Sequence, residues 1–307
     1  MTRVVVTGAT GTIGRAVCAA LLGRGDEVVA LSRDPRRARG VLGDRVEPLA
    51  WPRPVEEPPP LEALVGADAV IHLLGEPLDQ RWTERAKEMI RESRVLGTRL
   101  LVQALRELPE DRRPGVLVSQ SAVGYYGPSD DRELDERAAA GDDFLARVVS
   151  AWEAEASAAE PMLRVVRTRT GVVLAARGGA LARMLPFFRA GIGGPVAGGR
   201  QYVSWIHLED VANGLVFSVS ESGAAGAINL TAPTPVPNAE LSRALGRVLR
   251  RPAALPVPAL ALRTLYGEMA DVVLTGQRVV PRRLQELGFE FRHPTLEPAL
   301  RDVLAKR

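Results

Sequence analysis

Met1-Thr-Arg-Val-Val-Val-Thr-Gly-Ala-Thr-Gly-Thr-Ile-Gly-Arg-Ala16 decides the fold: an apolar, β-branched run breaks into a glycine-spaced turn and resumes as a helix. Val4, Val5 and Val6 suit a strand buried on both faces. Gly8, Gly11 and Gly14, spaced G-x-x-G-x-x-G, fall where a chain must turn sharply, approach a phosphate and pack a helix against that strand. A helix opening near Gly11 offers unpaired backbone N–H groups and about half a positive charge, a site for a pyrophosphate. The stretch therefore predicts a dinucleotide site, with Gly8, Thr10, Gly11, Thr12, Ile13 and Gly14 as cofactor-binding residues; the alternative is an ordinary glycine-rich strand–turn–helix.

Residues 26–33 read as the second strand, ending in Ser32 and Arg33. An acidic residue at such an end accepts hydrogen bonds from both ribose hydroxyls and favours NAD, whereas an arginine pairs with a 2′-phosphate. Ser32 and Arg33 thus point to NADP over NAD, with Asp34 as the competing reader. Residues 51–60, dense in proline, are a loop. Residues 61–65 form a short helix, and residues 69–74 another buried strand, with Leu73 and Leu74 at its cofactor-facing end and His72 packed within it. Helical spacing over 82–108 buries Ile90, Leu96, Leu100, Leu101 and Leu105. Residues 116–121 are the next strand, bringing Ser119, Ser121, Gly124, Tyr125 and Tyr126 to a carboxyl edge, where open α/β sheets hold ligands.

An acidic loop (130–136), a helix to residue 159 and a strand over 163–168 follow. Residues 171–201 are glycine-rich and enclose Met184-Leu-Pro-Phe-Phe188, which suits a substrate-facing loop and short helix. Residues 201–210 return to the core, 210–219 are helical, and 227–230 are a last strand. Helices are then expected over 238–250, 259–275, 281–287 and 296–305. Strands alternating with helices give an α/β fold with a parallel sheet. With 307 residues, 46% hydrophobic and 25% charged, the chain can bury a full core.

The net charge of +3, with both signs interspersed, gives no indication of nucleic-acid binding. Cys18 is the single cysteine, so there is no internal disulfide and no cysteine-based metal site, and no metal ligand set is assigned. No apolar run reaches the roughly 18 residues needed to span a bilayer, so no membrane partner is expected and a cytoplasmic location is. Lys87 and Lys306 are the only lysines, leaving 38 of the 40 basic residues as arginine.

Over its whole length the chain resembles the extended short-chain dehydrogenase/reductase superfamily. It is most similar to the branch of the NAD(P)-dependent epimerase/dehydratase family that carries an extra C-terminal domain. Thr7-Gly-Ala-Thr-Gly-Thr-Ile-Gly14 matches the nucleotide turn, Ser119-Gln-Ser-Ala-Val-Gly-Tyr-Tyr-Gly127 the serine-bearing strand end, and Tyr202-Val-Ser-Trp-Ile-His-Leu-Glu-Asp-Val211 the return segment. Gly267-Glu-Met-Ala270, Gly276-Gln-Arg-Val279 and Leu287-Gly-Phe-Glu-Phe291 resemble the extra domain. The resemblance implies a Rossmann-type, doubly wound parallel sheet (1–172 and 200–231) with a smaller, mainly helical C-terminal substrate cap (173–199 and 232–307). It also implies hydride transfer with a nicotinamide dinucleotide.

Members of the superfamily move the proton with a Tyr-x-x-x-Lys pair, and here residues 131–160 contain neither tyrosine nor lysine. Phe144 and Arg147 are the nearest substitutes. The family's helical asparagine facing the cofactor is replaced by Arg94, read either as a guanidinium pairing with the pyrophosphate or as an exposed helix arginine. Ser121 matches the active-site serine, and Tyr125, with Tyr126 beside it, is the candidate replacement acid or otherwise an aromatic wall of the cleft. His207 and Asp210 are read as structural. The loop 191–199 with Tyr125, Tyr126 and Trp205 is expected to shape the pocket. Two functional readings follow: an NADP(H)-dependent oxidoreductase or epimerase acting on a small polar substrate, or a catalytically impaired NADP-binding regulatory protein. Another nucleotide, such as a flavin, is a third. The protein is expected to be a monomer or homodimer, the dimer forming through helices 82–108 and 143–159.

Overall fold

The computed structural model describes residues 1–305. Strands β1 (Arg3–Thr7), β2 (Glu27–Ser32), β3 (Val46–Ala50), β4 (Ala69–His72), β5 (Val116–Ala122), β6 (Arg164–Thr170) and β7 (Gly226–Leu230) form one sheet in the order β3-β2-β1-β4-β5-β6-β7. Every pairing in it is parallel. The strand order reverses between β1 and β4, which opens a crevice at their carboxyl ends. Seven helices accompany the sheet: α1 (Thr12–Gly23), α2 (Pro35–Leu42), α3 (Leu61–Leu64), α4 (Glu84–Glu107), α5 (Phe144–Ser157), α6 (Gly179–Arg189) and α7 (Leu208–Ser220). The C-terminal part adds α8 (Asn238–Leu249), α9 (Ala259–Tyr266), α10 (Ala270–Leu274), α11 (Arg282–Glu286) and α12 (Leu296–Ala305).

Strand alternation sorts the core into two layers. Val4 and Val6 pack with Val17, Cys18 and Leu21 of α1 and Val211 and Leu215 of α7. Val5 and Val29 pack with Leu101 and Leu105 of α4 and Ala156 of α5. Val4, Val5 and Val6 are all fully buried, each stabilising the fold by about 1.5–3 kcal/mol at most. A third cluster joins Leu174 and Trp205 to Leu181, Leu185 and Phe188 of α6, Leu241 and Leu245 of α8, and Leu300 of α12. In it the return segment Trp205–His207 pairs parallel with Val172–Leu174.

Several elements differ from expectation. Helix α2 and strand β3 have no counterpart in the sequence reading. Pro35 opens α2 under an Asp34 cap, and Pro48 interrupts the apolar pattern of β3, which a sheet-edge position tolerates. The single helix expected over 259–275 is broken at Gly267, whose φ of +62° ends α9 before a 3₁₀ turn over Gly267–Met269. In α4 the buried face includes Ile90, Val95, Leu101, Val102 and Leu105, whereas Leu96 and Leu100 are only partly buried.

Candidate active site

The glycine turn follows β1 at the switch point. Gly8 has φ +63°, and a Cβ there would stand 2.5 Å from the Leu73 carbonyl oxygen. Gly14 has no room either, since its Cβ would fall 2.3 Å from the Gly8 oxygen, so its role is close packing of α1. Helix α1 opens after Gly11 with no side-chain cap and no acidic residue in its first turn. Its N–H groups are thereby left for an external acceptor. The residues present fit a dinucleotide.

A cavity of about 490 Å³ lies here, and Gly8, Thr10, Gly11, Ser32, Arg33, Leu73 and Leu74 all line it. Thr12, Ile13, Gly14, Ser119, Arg94, Ser121, Tyr125 and Tyr126 do not. The Thr12 hydroxyl abuts Gly178, Ile13 packs on the core, and Ser119 is buried with its hydroxyl turned to the Gln120 carbonyl. Asp34 accepts from the Arg37 N–H (3.1 Å) as the α2 cap, which leaves Arg33 as the charged group on that strand end. Sequence reasoning missed Arg53, which lines the same cavity from the proline-rich loop. The composition of that loop gave no sign of it.

His72 is structural. Its Nδ1 lies 2.9 Å from Thr7 Oγ1 and its Nε2 3.0 Å from Thr98 Oγ1, tying β1, β4 and α4 together. Burial drives its pKa down to about 3, so it is neutral.

Beyond β5 the polar groups form one buried network. Ser121 Oγ donates to Glu153 Oε1 (2.6 Å), and Arg169 grips both oxygens of that carboxylate at 2.8 and 2.9 Å. Arg169 Nη1 also donates to the Tyr126 hydroxyl (3.0 Å), which donates in turn to Asn229 Oδ1 (2.6 Å). Burial pushes Tyr126 up to about 12 despite Arg169, so its proton belongs to the fold. Tyr125 stacks its ring on Arg169, with the guanidinium carbon 3.4 Å from the ring centroid. Nothing among the described residues hydrogen-bonds its hydroxyl. Glu153 and Arg169 had no signal in the sequence reading.

The return segment departs from expectation. Trp205 is fully buried in the third cluster, its indole N–H donating to the Thr234 carbonyl, and it shapes no pocket. Loop 191–199 also lies off the cavity wall. It packs on the segment before α9, with Val196 bridging to Val257.

Residues 4–230 match the NAD dependent epimerase/dehydratase family. The chain belongs to this family. Residues 257–303, spanning α9 to α12, match a domain described as of unknown function, DUF1731. The chloroplastic epimerase family protein SDR39U1 homolog of Arabidopsis thaliana is 41% identical over 308 residues, covering 98% of this chain and 86% of its own. The Mus musculus protein SDR39U1 is 40% identical over 309 residues, covering 99% and 100%. A crystal structure of the human epimerase family protein SDR39U1 (isoform 2) with NADPH superposes with a TM-score of 0.89 at 35% identity, covering 100% of both chains.

Within this epimerase/dehydratase-family fold, Phe144 opens α5 edge-on to Trp82, 5.2 Å between centroids. Lys87 reaches over its ring from α4 at 5.6 Å, but ion pairs to Glu268 (2.6 Å) and Glu84 (3.3 Å) hold it. Arg147 donates to the Asp142 carbonyl beside the α5 start. Arg94 lies against Gly75 instead of the glycine turn. His207 Nδ1 accepts from the Glu209 N–H (3.0 Å), which caps α7 and fixes Nε2 as the donor facing Asp302 (3.0 Å). Asp210 accepts from the Arg292 and His293 N–H groups at 2.8 and 3.0 Å. His207, Glu209, His293 and Asp302 gather closely enough to suggest metal ligands. His207 Nε2 facing Asp302 and His293 Nε2 lying 3.3 Å from Glu209 Oε2 make them a polar latch between α7 and α12. No described helix is long and apolar enough to cross a membrane.

Proposed function

We propose that this protein is an NADP(H)-dependent oxidoreductase or epimerase of the extended short-chain dehydrogenase/reductase type, acting on a small polar substrate. The observation that carries the reading is Arg33 on the cavity wall while Asp34 is committed to capping α2. The human relative, whose structure is described as holding NADPH, supports it. The α1 N-terminus would hold the pyrophosphate and Arg33 the 2′-phosphate, with Arg53 nearby already paired with Glu56 and Glu57. Bound cofactor supplies the hydride chemistry.

Residues of the chain then have to bind the substrate and move one proton. The Ser121 hydroxyl proton is directed at Glu153, so its oxygen is an acceptor for a substrate hydroxyl. Tyr125, with a hydroxyl held by no described residue, is the proton donor and acceptor, its ring fixed on Arg169. The second reading, a cofactor-binding regulatory protein, draws on the lack of any tyrosine or lysine over 131–160.

Calorimetric titration with NADPH and NADH checks the proposal. NADPH is expected to bind at least about tenfold tighter, and Arg33→Ala to remove most of that difference. Failure of both dinucleotides to bind would reject the reading.

A further inference from the structure

Two arginines flank the carboxyl ends of β4 and β5, and the fold neutralises only one. Arg169 is held by both oxygens of Glu153. Arg94, on α4, donates Nη1 to the Ile90 carbonyl (3.0 Å) and stands 5.4 Å from the Trp152 ring centroid. Among the described residues no carboxylate makes an ion pair with it. Glu76 contributes only a longer-range field. Burial lowers Arg94 to about 10, which leaves it charged at neutral pH. Arg94 is only half-buried, so an anion can reach it, and a guanidinium without a counter-ion gains a charge-assisted pair when one arrives.

We propose that Arg94 anchors an anionic group of the substrate, a carboxylate or a phosphate, just beyond the end of the cavity bordered by Gly75. The inference rests on the oxidoreductase reading above. Gly75 lines the cavity, and a Cβ on it would stand 3.2 Å from Arg94 Cζ and Nη2, so this glycine lets the guanidinium lie against the wall. Ser93 Oγ accepts the Glu76 N–H (2.9 Å), which latches the α4 turn carrying Arg94 to the loop after β4. Consecutive residues of α5 border both groups: Trp152 faces Arg94 and Glu153 holds Ser121. A pyrophosphate has its own partner in the α1 N-terminus, on the β1 side of the crevice, which leaves Arg94 for the substrate.

The test loads wild-type protein, Arg94→Met and Arg94→Lys with NADPH and titrates each with oxalate and, separately, inorganic phosphate, reading heat and NADPH fluorescence. One of the two anions is expected to bind wild type, at least about tenfold more weakly to Arg94→Met, with partial recovery in Arg94→Lys. Which anion responds identifies carboxylate or phosphate. Gly75→Ala, which retains the arginine but pushes it off the wall, is expected to weaken the same anion and covers the case in which Arg94→Met does not fold. Anion binding that ignores Arg94, or is absent while NADPH binds, overturns the inference and leaves the cofactor reading standing. So does a loss of NADPH affinity in Arg94→Met equal to the loss of anion affinity, since the residue would then serve the cofactor. Failure of wild type to bind NADPH overturns both.

Discussion

Tyr125 and Tyr126 are adjacent in sequence and differ in role because one hydroxyl is spent on the fold. Tyr126→Phe leaves Asn229 and Arg169 short of a buried partner and is expected to cost about 1–3 kcal/mol in urea unfolding, whereas Tyr125→Phe is expected to change stability little. Equal losses would contradict the division of roles. His72 gives a pH dependence with a definite sign. Its pKa falls from 6.5 to about 3 on folding, so its stabilisation is complete above pH 6.5 and is lost as pH falls towards 3. Wild type should therefore lose about 2 kcal/mol more than His72→Gln between pH 7 and pH 5 in urea melts, and parallel losses would show that His72 is not buried neutral. Ser121 and Tyr125 can be singled out in the sequence because a local motif carries them. Glu153 and Arg169 cannot, since their pairing across 16 residues exists only once α5 packs on β6.

The strand–turn–helix from β1 into α1 was fully legible, because its glycine spacing encodes the geometry locally. Gly14→Ala drives a methyl group into the Gly8 carbonyl, so it should displace the α1 N-terminus and lower NADPH affinity by about tenfold or more in calorimetry. Unchanged affinity would mean that the turn does not carry the phosphates. Helix α2 and β3 escaped notice for opposite reasons. Arginines over 36–39 mask the periodicity of α2, and Pro48 argues against a strand unless the strand lies at an edge. The break between α9 and α10 depends on a left-handed glycine that apolar spacing does not reveal.

Taken as one molecule, the sheet's helix layers and the C-terminal helices share their interiors: Trp205 of the return segment packs with α6, α8 and α12, while Leu284 joins the β1–α1–α7 layer. This explains why Trp205, an aromatic near the expected pocket in sequence, proved to be core. It also places the cavity at the β1/β4 switch point, with Ser121 and Arg169 on the neighbouring strands β5 and β6 joined through Glu153 of α5. The central claim is that one extended dinucleotide runs from Arg33 across this crevice to the Ser121 side. A crystal structure of the protein with NADPH tests it most directly. The account predicts the 2′-phosphate on Arg33, the pyrophosphate at the α1 N-terminus and the nicotinamide beside Ser121 and Tyr125. A 2′-phosphate away from Arg33, or a nicotinamide turned away from Ser121, would contradict it.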